Sequence, residues 1–81
     1  MTKNLATPIT SKGWTLHYTI GDVVCGPVGE GDVVEGRDGP YTVISGTPPH
    51  KVNSTGRVYV DTGAHRCEFY PSVIGAKWVQ S

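Results

Sequence analysis

Every second residue of Trp14-Thr15-Leu16-His17-Tyr18-Thr19-Ile20 is apolar, and that two-residue period belongs to a strand with one dry face and one wet face. Thr15, His17 and Thr19 then face water. The alternation returns in Arg57-Val58-Tyr59-Val60, which puts Val58 and Val60 on one face, and again where Cys67 and Phe69 alternate with Arg66, Glu68 and Tyr70. Tyr41-Thr42-Val43-Ile44-Ser45 is rich in β-branched and aromatic residues and reads as a further strand. No stretch carries helical periodicity across even two turns. The chain is therefore expected to be all-β.

Eleven Gly and six Pro punctuate these runs. Gly21-Asp22-Val23-Val24 is echoed by Gly31-Asp32-Val33-Val34-Glu35, which reads as two similar strand entries, each opened by a Gly turn. Gly36-Arg37-Asp38-Gly39-Pro40 carries hairpin-turn chemistry, because Asp-Gly supplies a positive φ and Pro40 has no amide proton to donate to a ladder. The Pro pair in the connection from Gly46 to Thr55 favours an extended, stiff path. Asp61 to His65 turns the chain, and Pro71-Ser72-Val73-Ile74-Gly75 suits one short 3-10 turn before Lys77-Trp78-Val79 closes the sheet. Residues 1–13 lack periodicity and are read as a flexible N-terminal arm, with residues 14–81 as one small domain. The expected architecture is a five- to six-stranded small barrel or pair of packed sheets, because closure removes exposed edges. Its expected core is Leu16, Tyr18, Val23, Val33, Val43, Val58, Val60, Cys67, Phe69, Ile74 and Val79.

Size and charge narrow the function classes. A chain of 81 residues leaves no room for a second domain or a deep cofactor cavity. Formal charge is zero and the pI is ≈ 6.8, which removes the strong electrostatic case for a nucleic-acid or membrane-surface protein. There is neither the apolar run of a signal peptide nor the roughly eighteen consecutive apolar residues of a membrane span. A cytoplasmic, soluble protein without a cofactor is expected. Cys25 and Cys67 are read as free thiols, Cys67 facing the core.

From Gly31 onward the pieces run strand, turn, strand, longer loop, tight hairpin, one helical turn and a last strand. This order resembles the Src-homology-3 (SH3-like) barrel, with Glu68-Phe69-Tyr70-Pro71-Ser72 in the place of that family's aromatic-x-Pro-Ser segment. The peptide-binding members open with an Ala-Leu-Tyr-type strand and an acidic first loop, and neither is present here. A second resemblance lies in Gly46 to Lys51, Gly56 to Val60, Phe69 to Val73 and Lys77-Trp78-Val79, which are similar to segments of small uncharacterised proteins of tailed bacteriophages. It implies an accessory protein made in the cytoplasm of an infected bacterium.

Val58-Tyr59-Val60-Asp61-Thr62-Gly63-Ala64 matches the Asp-Thr-Gly signature of retroviral-type aspartic proteases, whose chemistry needs two such aspartates sharing a proton. Only eighteen residues follow Gly63, too few for the flap and second half of such a barrel. A hairpin turn in which Asp61 caps and Gly63 takes positive φ accounts for the same residues. His17, His50, His65, Cys25 and Cys67 lack the Cys-x-x-Cys spacing of a metal site. An enzyme is not expected.

Aromatic residues carry the leading expectation. With Val58, Val60, Cys67 and Phe69 inside, Tyr59 and Tyr70 face outward, joined by Tyr41, Trp78 and the loop residues Pro48, Pro49, His50 and Lys51, with Arg57 beside them. Exposed rings of this kind anchor protein partners because they bury large area at low entropic cost. The expected function is a non-enzymatic protein-binding module that engages a host or viral protein. The alternative is a small barrel binding single-stranded nucleic acid, with Lys51, Arg57, Arg66 and Lys77 lining the same face and tyrosines as stacking platforms.

Overall fold

The computed structural model describes residues 7–37, 39–51 and 53–80. The first part of the expected arm, residues 1–6, and Asp38, Val52 and Ser81 lie outside the described residues. Eight strand segments are described, more than the five or six expected: β1 (Thr10–Ser11), β2 (Trp14–Ile20), β3 (Val23–Pro27), β4 (Val33–Gly36), β5 (Gly39–Thr47), β6 (Arg57–Asp61), β7 (Arg66–Phe69) and β8 (Ala76–Gln80). They form two antiparallel four-stranded sheets. In the first, β8 runs along one edge of β2 while β1 and β3 share its other edge; the second has the order β4-β5-β6-β7. The 3-10 helix expected near residues 71–75 spans Pro71–Ile74. Among the described residues no α-helix forms, and no helix is long and apolar enough to cross a membrane.

The part of the expected arm that is described is tied into the first sheet. Ile9 N–H donates to Val28 O at 3.0 Å, Leu16 N–H to Ile9 O at 3.0 Å, Val28 N–H to Leu16 O at 2.9 Å and Glu30 N–H to Thr7 O at 2.9 Å. These bonds bury Ile9 and Val28, neither of which the alternation marks as core. A non-periodic segment can still occupy a sheet edge, since backbone pairing needs no side-chain pattern.

The core lies between the sheets. Ile9, Leu16, Val28, Ala76 and Trp78 come from the first, Tyr41, Val43, Val58 and Val60 from the second, and Ile74 from the 3-10 helix. Leu16, Val28, Val43, Val58 and Val60 are fully enclosed, and each such burial stabilises by about 1.5–3 kcal/mol relative to exposure. Tyr18 and Phe69 pack against this cluster from the rim.

Cross-strand partners share a face, and that rule corrects several core expectations. Val34 pairs with the buried Tyr41, so Val34 leans inward and Val33, expected inside, is exposed. Trp78 pairs with the fully buried Leu16, so it points inward and Val79 is only half-buried. Val23 is exposed opposite the equally exposed Ile20, because pairing of β2 with β8 stops at Tyr18 and the hairpin tip runs past the core. Cys67, paired with Val60, is half-buried, and both cysteines are free thiols.

The passage between sheets is held by Asp32. Gly31 N–H donates to Val43 O at 2.7 Å and Val43 N–H to Asp32 O at 2.8 Å, extending the second sheet beyond β4. The Asp32 carboxylate reaches back, its Oδ2 accepting the Tyr18 hydroxyl at 2.8 Å and the Gly29 N–H at 2.9 Å. Burial, then the hydrogen bond to Asp32 and the charge of that carboxylate, push the Tyr18 phenol well above its ordinary value. Because the folded state favours the protonated phenol, this contribution is complete below the ordinary tyrosine value of about 10 and declines as pH rises above it. Tyr18→Phe is expected to cost about 1 kcal/mol at neutral pH in urea unfolding. It should also flatten the extra loss of stability that the wild type shows above that pH; an unchanged alkaline slope would remove the Asp32 tie from the account.

Candidate functional site

Sequence and backbone together converge on the loop between β5 and β6. Its two ends are held in register by Gly46↔Val58 and Thr47↔Arg57. A bulge at Ile44, where the register steps from Val43↔Val60 to Ser45↔Tyr59, resets the alternation, so that Gly46 as well as Val43 faces the interior. What Gly46 meets there is the Trp78 indole. A Cβ at Gly46 would lie 2.8 Å from Trp78 Cζ2 and 2.8 Å from Arg57 O. Gly56, at φ +76°, approaches the same ring: a Cβ there would lie 2.6 Å from Trp78 Cδ1, 2.7 Å from Nε1 and 2.6 Å from Thr47 O. Both ends of the loop thus rest on one side chain of β8 at distances only glycine allows.

Above this base the loop is organised by short polar contacts. Ser54 N–H donates to Lys51 O at 3.1 Å and Gly56 N–H to Ser54 Oγ at 3.2 Å. Arg57 Nη1 donates to Gly56 O at 3.0 Å, and its guanidinium lies over the Tyr70 ring, 4.4 Å from the centroid. That stacking follows from the β6–β7 register, in which Val58↔Phe69 sets Arg57 beside Tyr70.

The result is a groove of about 630 Å³ lined by Thr47, Pro48, His50 and Lys51 on one side and Thr55, Gly56, Arg57 and Tyr70 on the other. Two concavities adjoin it: a smaller one shares Thr55 and Tyr70 and adds Pro71, Ser72 and Lys77, and another shares His50, Lys51 and Ser54 and adds Trp14 and Pro49. Lys51 and Arg57 line the groove, and Lys77 lines the adjoining concavity that shares Thr55 and Tyr70 with it. Among the described residues no Asp or Glu lines any of the three.

Of the residues expected to bind a partner, Pro48, Pro49, His50, Lys51, Arg57 and Tyr70 come together here. Tyr70 is 56% exposed. Tyr59 is 41% exposed but stands two cross-strand pairs away, opposite Glu68, whose hydrogen bond and then charge raise its phenol above the ordinary value. Two expectations fail. Tyr41 is 3% exposed, packed over Gly36 and stacked on Phe69 with centroids 5.6 Å apart; two residues from Val43, it had to share that residue's inward face. Trp78 is 4% exposed and forms the floor beneath Gly46 and Gly56 rather than a docking ring. Trp14 is a lining residue that sequence reasoning missed, because the alternation over 14–20 marks it only as a strand residue.

The Asp61-Thr62-Gly63 segment closes the β6–β7 hairpin. Asp61 Oδ1 accepts the Gly63 N–H at 2.8 Å, and Thr62 Oγ1 donates to His65 O at 3.0 Å. No cluster of three or more His, Cys, Asp or Glu side chains suited to a metal forms among the described residues. Comparison with protein-family models, curated proteins and solved structures yields no match.

The fit of Gly46 over Trp78 has a direct consequence. Gly46→Ala is expected to cost about 1–3 kcal/mol by overpacking, whereas Gly26→Ala, where a Cβ meets nothing within 4 Å, should change stability little. Thermal unfolding of both variants checks this, and equal midpoints would show that Trp78 does not set the loop base.

Proposed function

We propose that this chain is a non-enzymatic binding module, an SH3-like barrel encoded by a tailed bacteriophage, that engages a host or viral protein through the groove between the 47–57 loop and Tyr70. The observation that carries this reading is the pairing of an exposed tyrosine with a groove fixed from below. Arg57 holds one face of Tyr70, while the loop base is seated on Trp78, so the binding surface is ordered before any partner arrives. A rigid amphipathic ring at the mouth of a groove anchors a partner at low entropic cost.

The order of hairpin, 3-10 helix and closing strand around Tyr70 supports the barrel reading, as do two antiparallel sheets packed over one core. The phage origin rests on the resemblance of the segments Gly46 to Lys51, Gly56 to Val60, Phe69 to Val73 and Lys77-Trp78-Val79 to small proteins of tailed bacteriophages. The groove gathers cationic, aromatic and prolyl side chains, and its Ser54 hydroxyl is taken up by the Gly56 N–H, an arrangement suited to recognition rather than to nucleophilic attack.

Capture from bacterial lysate with wild-type protein, Tyr70→Ala and Val33→Ser tests the reading. Tyr70→Ala is expected to reduce recovery of a specific partner at least about tenfold, in the range of an interface anchor, while Val33→Ser, on an exposed position away from the groove, should retain it. Equal recovery by all three proteins would overturn the groove as the docking face.

A further inference from the structure

We infer that the partner segment seated in this groove is acidic, an extended stretch of polypeptide whose Asp and Glu side chains meet Lys51, Arg57 and Lys77. This rests on the groove being the docking face and adds the chemistry of what occupies it.

Formal charge is zero over the whole chain, with seven basic and seven acidic residues, yet among the described residues no carboxylate lines the groove. The described acids are placed elsewhere. Asp22 sits at the tip of the β2–β3 hairpin, Glu30 is exposed in the turn between β3 and β4, Asp32 is engaged with Tyr18 and Gly29, Glu35 lies in β4, Asp61 is used in the β6–β7 turn, and Glu68 faces Tyr59. The groove, with Lys51, Arg57 and His50, and the adjoining concavity at Tyr70, with Lys77, have no lining carboxylate among the described residues. A concave surface lined by one sign of charge over low-dielectric walls focuses its field, so the absent net charge does not weaken the local one.

Arg57 is the best-placed of the three. Half-buried, stacked on Tyr70 and bonded through Nη1 to Gly56 O, its guanidinium is held in one orientation with further donors left for a carboxylate fork. Lys51 and Lys77 are exposed on either side and supply point charges that tolerate variation in the partner.

The same cations would attract a nucleic-acid strand, but the rings do not fit one. Base stacking along a strand needs a row of open aromatic faces. Here Arg57 covers one face of Tyr70, Tyr41 and Trp78 are buried, Tyr59 stands against the Glu68 carboxylate, and Trp14, half-buried, borders only the concavity that Tyr70 does not line. What remains suits carboxylates on a flexible backbone with one apolar contact to Tyr70.

Amide NMR titration of the full chain with a decaglutamate peptide, a decaglutamine peptide and a ten-nucleotide oligo-dT tests the inference, with Trp fluorescence as a second readout because Trp14 borders a concavity that adjoins the groove. Decaglutamate is expected to shift amides of residues 47–57, Tyr70 and Lys77, and to bind about tenfold more weakly when salt rises from about 50 to 300 mM. The double variant Lys51→Gln, Lys77→Gln, which alters only exposed side chains and leaves the fold's amide spectrum in place, should bind it at least about fivefold more weakly. Decaglutamine should produce no comparable shifts. Equal binding of the two peptides in the groove would overturn the acidic assignment while leaving the docking face intact. Shifts confined to another face would overturn the docking face itself. Tighter binding of oligo-dT than of decaglutamate would make the partner a nucleic acid, and an unmoved spectrum with decaglutamate would dismiss acidic segments altogether.

Discussion

The Trp78 indole is the contact on which the rest of this small fold depends. It belongs to the first sheet through its pairing with Leu16, yet its ring lies beneath Gly46 and Gly56 of the second. One side chain therefore joins the layers and defines where the β5–β6 loop begins and ends. Its Nε1 is buried and has no hydrogen-bond partner among the described residues, a cost of about 1–3 kcal/mol set against the burial of the largest apolar side chain type in the chain. Retaining a tryptophan here under that cost fits a position where ring area, not hydrogen bonding, is what the packing requires.

Charge is the second constraint, and it works through placement rather than total. Asp32 serves the seam between sheets and Asp61 serves a turn, so two of the carboxylates are taken up by structure. Lys51 and Arg57 are left facing the groove and Lys77 the concavity next to it. A chain with no formal charge acquires a polarised surface simply because carboxylates make good caps and backbone acceptors, whereas long cationic side chains remain at the rim.

How far the sequence was legible follows from what each pattern encodes. Alternation over 14–20 and 57–60 located strands and correctly turned Leu16, Val58 and Val60 inward. The turn at Asp61 to Gly63 and the 3-10 helix at Pro71 were readable because their backbone geometry is set by local chemistry. Tyr41 was misplaced although its spacing from Val43 already argued for burial; its aromatic character was weighed above its parity. Val33 and Val79 were misplaced for another reason: in a short apolar run such as Val33-Val34 or Trp78-Val79, either residue satisfies the pattern, and only the partner strand selects one.

Local sequence by itself determined the all-β character, most turn positions and the outward direction of Tyr59 and Tyr70, because period, turn chemistry and β-propensity act within a few residues. Tertiary structure alone decided that residues 7–11 join a sheet, that a bulge at Ile44 turns Gly46 onto Trp78, and that Lys77 comes to a concavity beside the groove that Lys51 and Arg57 line. Those outcomes depend on register between strands distant in sequence, and register is chosen by the combined fit of both sheets around the core rather than by any segment on its own.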